Sequence, residues 1–358
     1  MTDTAPGAFA PAEYRARCGR AQAAMADAGL SALLLTQEAE IRYYTGFLTR
    51  FWESPTRPWF LVLPATGDPI AVIPAIGGHL MGQCWITDIR TWHAPDYTDD
   101  GIGLLADTLS EVTPKGAKIG LAHHIESHLH MPLASHARLT GRLGSRVLMP
   151  DAGITARLRQ VKSAAEIARI ENIIAIATRA FDRVPDFAAP GVPLSTVFRR
   201  FQMTLLEEGA DWVPYLAGAA GPGGYGDVIS PADDRPLAAG DVLMLDTGAV
   251  RDGYFCDFDR NFAVGPPGPE VAEAHARLIE ATEAGMASAH PGARFCDIHA
   301  AMEAVVRLGP GGGRLGHGLG MQLTEGPSIL SADDTVLVPG MVLTLEPSVR
   351  VTGDRLMV

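Results

Sequence analysis

Three short segments carry acidic or imidazole side chains among apolar or glycine-rich neighbours. The first runs from Asp241 to Phe262. Val242-Leu243-Met244-Leu245 reads as a buried strand ending in Asp246, Asp252-Gly253 is a hairpin-turn signal, and Tyr254 to Phe262 is the returning strand. With Asp252 and Gly253 as the two loop residues, Arg251 faces Tyr254, Gly248 faces Asp257 and Asp246 faces Asp259. Side chains alternate with period two, so Asp246, Asp257 and Asp259 share one face of the hairpin. Like charges opposed across a sheet repel. A bound cation removes the objection and turns the cluster into a ligand set. Without one, each Asp is a solvated strand-end residue, and a one-residue slip in register would disperse them.

The second segment is Gly316-His317-Gly318-Leu319-Gly320. Flanking glycines let the backbone approach closely and leave the imidazole unshielded, as a ligand or as a satisfied structural histidine. The third is Gly340-Met341-Val342-Leu343-Thr344-Leu345-Glu346-Pro347, a strand with one acidic residue at its apolar end. Burying that carboxylate costs several kcal/mol unless it is paired or metal-bound. Mixed carboxylate and imidazole donors suit Mn, Fe, Co or Zn.

The elements that must position these groups follow from periodicity and turn chemistry. Ala12 to Ala28 is helical and Gly29 stops it. Ala32 to Leu35 is a strand, and Ile41 to Tyr44 leads to a Gly46 turn. Trp59 to Leu63 and Ile70 to Ile73 flank the turn Ala65-Thr66-Gly67-Asp68 as a hairpin. Asp99 to Leu109 is predicted helical and Lys118 to Ala122 extended, which makes an α/β domain ending near Asp151. From Arg157 the texture changes. Ser163-Ala164-Ala165-Glu166 is a capping box, and isoleucines behind it recur at helical spacing to about Arg183. A second helix covers Leu194 to Glu208. A glycine-rich stretch, Ala217 to Gly226, precedes the strands.

At 358 residues the chain accommodates two domains of about 150 residues each. Apolar residues make up 47% of it, enough for large cores. A net charge of −12 argues against a nucleic-acid surface. The four cysteines, Cys18, Cys84, Cys256 and Cys296, form no CxxC pair, so reduced thiols in the cytoplasm are the plain reading. Met1 to Pro11 lacks the regions of a signal peptide, and no apolar run approaches about 18 residues.

The three chemistry-bearing segments together resemble the pita-bread metallohydrolases: methionine aminopeptidase, aminopeptidase P, prolidase, creatinase and their relatives. The family's first metal Asp matches Asp246 in Leu-Asp-Thr-Gly-Ala, and its second, eleven residues on, matches Asp257 in Cys-Asp-Phe-Asp-Arg. The Gly-His-Gly context matches His317. The Pro-Gly-Met-x-x-Thr-x-Glu-Pro run matches Pro339 to Pro347, with Glu346 as ligand. The resemblance implies an α/β creatinase/prolidase-type N-terminal domain over residues 1–155. An α+β pita-bread catalytic domain follows over 156–358. It also implies divalent metal, two ions of the Mn, Co, Fe or Zn kind, acting on a short peptide or other small molecule.

Three departures from the family pattern matter. The metallopeptidases place a catalytic His about seventeen residues before the first Asp; here the corresponding stretch is Gly224-Tyr225-Gly226. A second His, shortly after the metal His, is replaced by Thr324 in Thr324-Glu325-Gly326-Pro327. The Tyr225 and Thr324 hydroxyls are the candidates to supply the missing hydrogen bonds, and Tyr225 reads equally as an anchoring aromatic. The family's fifth ligand, a Glu on the strand after the Glu-Pro run, does not occur by Val358. Arg355 to Val358 is expected to begin that strand, with Asp259 a possible substitute ligand.

Three functions are therefore expected in competition. One is a prolidase-like peptidase. Another is a non-peptidase pita-bread enzyme, a creatinase-like C–N hydrolase or a lyase on a small metabolite. The third is a metal-free binding module. The loop Thr49 to Arg57 is rich in aromatics and arginine. Creatinase-like relatives are homodimers in which this part covers the partner's site, which makes Arg50, Trp52 and Arg57 candidate substrate contacts; otherwise they are a locally packed surface loop.

Overall fold

The computed structural model describes residues 7–54, 57–123, 125–309 and 311–358. Pro55 and Thr56 of the aromatic loop, and residues 1–6 of the N-terminal stretch, lie outside the described residues. The chain divides into two compact units, Met1–Arg159 and Gln160–Val358.

The first unit runs α1 (Pro11–Ala28), β1 (Ala32–Leu35), α2 (Glu38–Thr45), β2 (Phe60–Pro64), β3 (Ile70–Pro74), α3 (Gly78–Met81), β4 (Asp88–Trp92), α4 (Ile102–Val112), β5 (Lys118–Leu121), α5 (Leu133–Arg142), β6 (Val147–Pro150) and α6 (Ile154–Gln160). Its sheet has the order β4-β3-β2-β1-β5-β6. β2 pairs antiparallel with both neighbours, while β1–β5, β3–β4 and β5–β6 are parallel. Every residue of β1, β2 and β3 is buried, as expected of strands covered on both faces. Leu34, Val62, Val72, Leu105, Leu109 and Ile119 form the core on one side. Ile41 to Tyr44 is the last part of α2, which Gly46 ends at a φ of 76°. α4 starts three residues later than predicted because the Asp99 carboxylate stays outside it and accepts the Gly103 N–H at 2.8 Å.

The second unit continues with α7 (Ala164–Asp182), α8 (Leu194–Glu207), β7 (Trp212–Pro222), β8 (Asp241–Arg251), β9 (Tyr254–Phe255), β10 (Phe258–Ala263), α9 (Pro269–Ser288), α10 (Phe295–Val306), β11 (His317–Gly318), β12 (Glu325–Ser328), β13 (Val349–Arg350) and β14 (Leu356–Met357). The capping box is formed: Glu166 N–H donates to Ser163 Oγ at 3.3 Å, and Ser163 N–H to Glu166 Oε2 at 3.0 Å. Such a cap contributes about 1 kcal/mol. β8 is central, with β10 and β9 on one side and β7 on the other, all antiparallel. Leu243, Leu245 and Ala249 point towards α7 and α8, where they meet Ile173, Ile176, Phe198 and Phe201. Val242 and Met244 point the other way, onto Val271, Leu278 and Ala281 of α9.

Two sequence expectations change. The glycine-rich stretch from Ala217 is extended: β7 runs through it to Pro222. Gly218 is required there, because a Cβ would overlap the Met244 carbonyl of the neighbouring strand. Conversely, residues 340–347 do not form a regular strand. They make isolated bridges, Val161 to Met341 and Gly318 to Leu343. The segment that faces them is itself irregular: its register with β12 shifts between His317 and Gly318, and Gly316 has a φ of 137°. Leu356 and Met357 of the stretch 355–358 are extended and pair with β13.

Candidate metal centre

The hairpin turn sets the site. Asp252 and Gly253 have φ values of 52° and 79°, the left-handed pair that a two-residue hairpin loop needs. Arg251 pairs with Tyr254, and with the register unshifted Asp246 pairs with Asp259 and Thr247 with Phe258. Asp246 follows Val242 and Met244 on the even-numbered face of β8. On the other side of β8, Tyr215 stands opposite Gly248 and Ala217 opposite Asp246. The three-strand surface thus carries Tyr215, Asp246, Asp257 and Asp259 together.

His317 and Glu346 come from distant segments stitched to each other. Thr344 N–H donates to the His317 carbonyl at 2.8 Å, and Glu346 N–H to the Leu315 carbonyl at 3.0 Å. The approach requires glycine at 316, where a Cβ would overlap the Thr344 carbonyl oxygen. The Thr344 hydroxyl accepts the His317 N–H at 3.0 Å and donates to Glu346 Oε1 at 2.7 Å. One threonine therefore ties the His317 main chain to the Glu346 side chain.

The imidazole Nε2 lies 2.9 Å from Glu346 Oε1 and 3.2 Å from Asp257 Oδ2. Among the described residues, Asp257, His317 and Glu346 offer ligand atoms all within 4.8 Å of one another. Asp246 and Asp259 line the same cavity, of about 130 Å³, but stand outside that tight group. Asp246 Oδ2 accepts a hydrogen bond from the Tyr215 hydroxyl at 3.1 Å.

The electrostatics are those of too many carboxylates in too little water. Burial, with the charges of Asp257 and Asp259, pushes Asp246 up to about 7. Burial pushes Asp259 up to about 7 as well, against the pull of Arg260. Asp257 is raised by burial despite its hydrogen bond with His317. Burial acts upward on Glu346 too, but the hydrogen bonds from His317 and Thr344 outweigh it and leave it low. Burial alone would lower His317; the hydrogen bonds to Asp257 and Glu346 raise it to about 10.

The donor set fits a divalent cation. His317 Nδ1 lies 2.8 Å from the Gly318 carbonyl, which makes Nδ1 the permanent N–H and aims Nε2 into the carboxylates. The proton held at Nε2 occupies the place where a cation would bind imidazole and carboxylates together, and metal binding at such a site releases it.

The remaining sequence candidates separate. Thr324 lines the cavity, half-buried. Tyr225 is 1% exposed, donates to Asn261 Oδ1 at 3.0 Å and accepts the Val358 N–H at 2.7 Å. Those contacts match the reading of Tyr225 as an anchoring aromatic. In the first unit Trp52 packs on Trp59 and His130, with ring centroids 5.7 and 6.0 Å apart, and Arg50 pairs with Glu53 at 3.2 Å. Arg57 is half-buried. Sequence reading missed Tyr215, Thr344 as a positioning group, and Arg314, an exposed cation lining the cavity whose charge lowers Asp257 and Glu346. The alternation of β7 would have pointed Tyr215 at Asp246 had that strand been recognised.

Fold and donor set together define a metal-dependent peptidase. The chain belongs to metallopeptidase family M24, which residues 168–357 match, and residues 17–161 match the creatinase/prolidase N-terminal domain. The chain is 31% identical over 351 residues to the probable dipeptidase PepE of Mycobacterium tuberculosis, covering 95% of this chain and 88% of that one. It is 28% identical over 341 residues to the uncharacterized peptidase YqhT of Bacillus subtilis, covering 90% and 87%. Among solved structures, dipeptidase PepE from Mycobacterium ulcerans superposes with a TM-score of 0.82 at 28% identity, over 97% of this chain and 91% of that one. A prolidase from Thermococcus sibiricus gives 0.83 at 25% identity, over 96% and 92%. Membership sets aside the reading as a metal-free binding module, and members of such a family use divalent metal. Among the described residues no helix is long and apolar enough to cross a membrane.

Proposed function

We propose that this chain is a dipeptidase of the Xaa-Pro kind, holding two divalent ions of the Mn, Co, Fe or Zn type through Asp246, Asp257, His317 and Glu346. The observation that carries the reading is the convergence of Asp257, His317 and Glu346, with the His317 tautomer set by Gly318. The bound ions would supply Lewis acidity and a water acidified towards neutral pH. The chain's own groups do the rest. Tyr215 holds Asp246, Thr344 holds His317 and Glu346, and Thr324 offers a hydroxyl where a peptide would lie. Arg314, at the edge of an otherwise acidic cavity, suits the free carboxylate of a dipeptide.

The reading includes a cytoplasmic homodimer in which Arg50, Trp52 and Arg57 serve the partner's site. Light scattering on the purified protein tests the dimer. The assay that tests the activity is turnover of Xaa-Pro and other dipeptides by protein loaded in turn with Mn, Co, Fe and Zn. Turnover of guanidino, amide or sulfonium compounds with none of peptides would replace this reading with the creatinase-like or lyase one. The committed Tyr225 hydroxyl and the threonine at 324 lead us to expect slow peptide cleavage, since loss of one oxyanion donor typically lowers rates about 10²–10³-fold.

A further inference from the structure

The loop joining β11 to β12 brings Leu323 and Thr324 to the metal-centre cavity. What holds that loop is a buried ion pair with no role so far. Glu325 Oε1 accepts the N–H groups of Met321 at 2.8 Å and Gln322 at 3.1 Å, so the carboxylate closes its own loop. Its Oε2 meets Lys162 Nζ at 3.4 Å, with side chains 6% and 2% exposed. Lys162 is itself fixed. Its N–H donates to the Gly340 carbonyl at 2.8 Å, and it directly precedes the capping residue of α7.

The far side of the loop is seated on the ligand hairpin. Phe255 N–H donates to the Gly320 carbonyl at 2.9 Å. Leu323 lies over Gly248, where a Cβ would overlap its Cδ1. Gly248 stands opposite Tyr215, and by register opposite Asp257, so Leu323 plugs a notch beside two groups of the site. A buried ion pair is weak evidence for stability, because apolar residues of similar size hold a core as well. A carboxylate, however, can take two N–H groups and a cation at once, which fixes direction as well as distance.

We propose that Lys162 and Glu325 are a positioning pair for substrate: they set the loop 319–325 so that Leu323 fills the Gly248 notch and Thr324 faces the peptide. Neither touches the reacting atoms. The pair acts on how well the substrate fits and leaves metal binding alone. The inference rests on the peptidase reading above.

The test uses the full metal-loaded chain and three forms: wild type, E325Q, and the double variant K162M/E325Q. Glutamine keeps an oxygen for the two N–H groups and drops the charge; the double variant leaves no lone buried charge. Both variants are expected to raise KM about tenfold, with kcat within about twofold and metal content unchanged, the pattern of lost ground-state fit. Selectivity among dipeptides of different side chain should narrow. An unchanged KM in folded variants overturns the proposal. So does a parallel fall in kcat, metal content and melting temperature, which is what a merely structural pair would give. Amide exchange separates this proposal from the peptidase reading. If wild type cleaves no peptide, that reading fails. Faster exchange confined to Met321 and Gln322 in the double variant then still supports the positioning pair, and unchanged protection refutes it.

Discussion

Asp246 and Asp259 stand directly opposite each other on neighbouring antiparallel strands, both half-buried and both raised to about 7. Two carboxylates in that relation repel when ionised. Without a cation they resist ionisation, and a metal held as proposed would compete with protons for the Asp246 oxygens near neutral pH.

Metal affinity is therefore expected to rise steeply as pH passes upward through about 7, as the Asp246 and Asp259 carboxyls lose their protons. Competition titrations against a chromogenic chelator between pH 5.5 and 8.5 measure it. A pH-independent affinity would refute the view that these carboxyls are protonated in the metal-free protein.

Tyr215→Phe removes the hydroxyl that stabilises ionised Asp246. The hydrogen bond lowers the Asp246 pKa, so its loss should move the midpoint of the metal-binding profile to higher pH, with melting temperature nearly unchanged. A shift towards lower pH contradicts the assigned donor direction.

Thr344→Val should weaken metal binding about 10–100-fold, because the His317 main-chain N–H loses its acceptor and Glu346 Oε1 loses one of its two hydrogen bonds. Isothermal titration with Mn or Zn gives the value. Thr344→Ser, which keeps the hydroxyl, should restore most of it.

Arg314→Ala is expected to raise KM for dipeptides with a free carboxylate about tenfold and to leave their C-terminal amides unaffected. Equal losses on both would assign Arg314 to the metal site's electrostatics instead.

In the first unit, Glu40 is 7% exposed and, among the described residues, its Oε2 has no hydrogen-bond partner. Burial raises it from 4.5 to about 7, with Arg159 pulling the other way. The folded protein thus holds the proton more tightly than the unfolded chain. Glu40's favourable contribution is complete below about pH 4.5 and lost as pH rises through about 7, on the order of 3 kcal/mol. Glu40→Gln should flatten that fall in urea-melt stability between pH 5 and 8.

The hairpin was legible because its information is local: a two-residue turn signal and a period of two locate three aspartates without tertiary knowledge. His317 and Glu346 were legible only through the family pattern, since nothing within either segment says that residue 344 stitches them together. The two readings of Tyr225 could not be separated in the sequence, because its hydroxyl partners, Asn261 and Val358, lie 36 and 133 residues away. Tyr215 was missed because the glycines after Ala217 suggested a loop. Those glycines are what lets β7 press against β8, and so what puts a tyrosine beside Asp246.

The turn at Asp252-Gly253 makes the proposed metal centre depend on chain length at a point about 20 Å along the strand from Asp246. One residue inserted there leaves every ligand present and every strand residue unchanged in type. It would nevertheless rotate Asp257 and Asp259 into the apolar layer under α7 and send Cys256 and Phe258 towards the cavity. Substitutions in the turn should be forgiven as long as two left-handed residues remain, whereas insertions and deletions of a single residue should not, although no ligand has been touched.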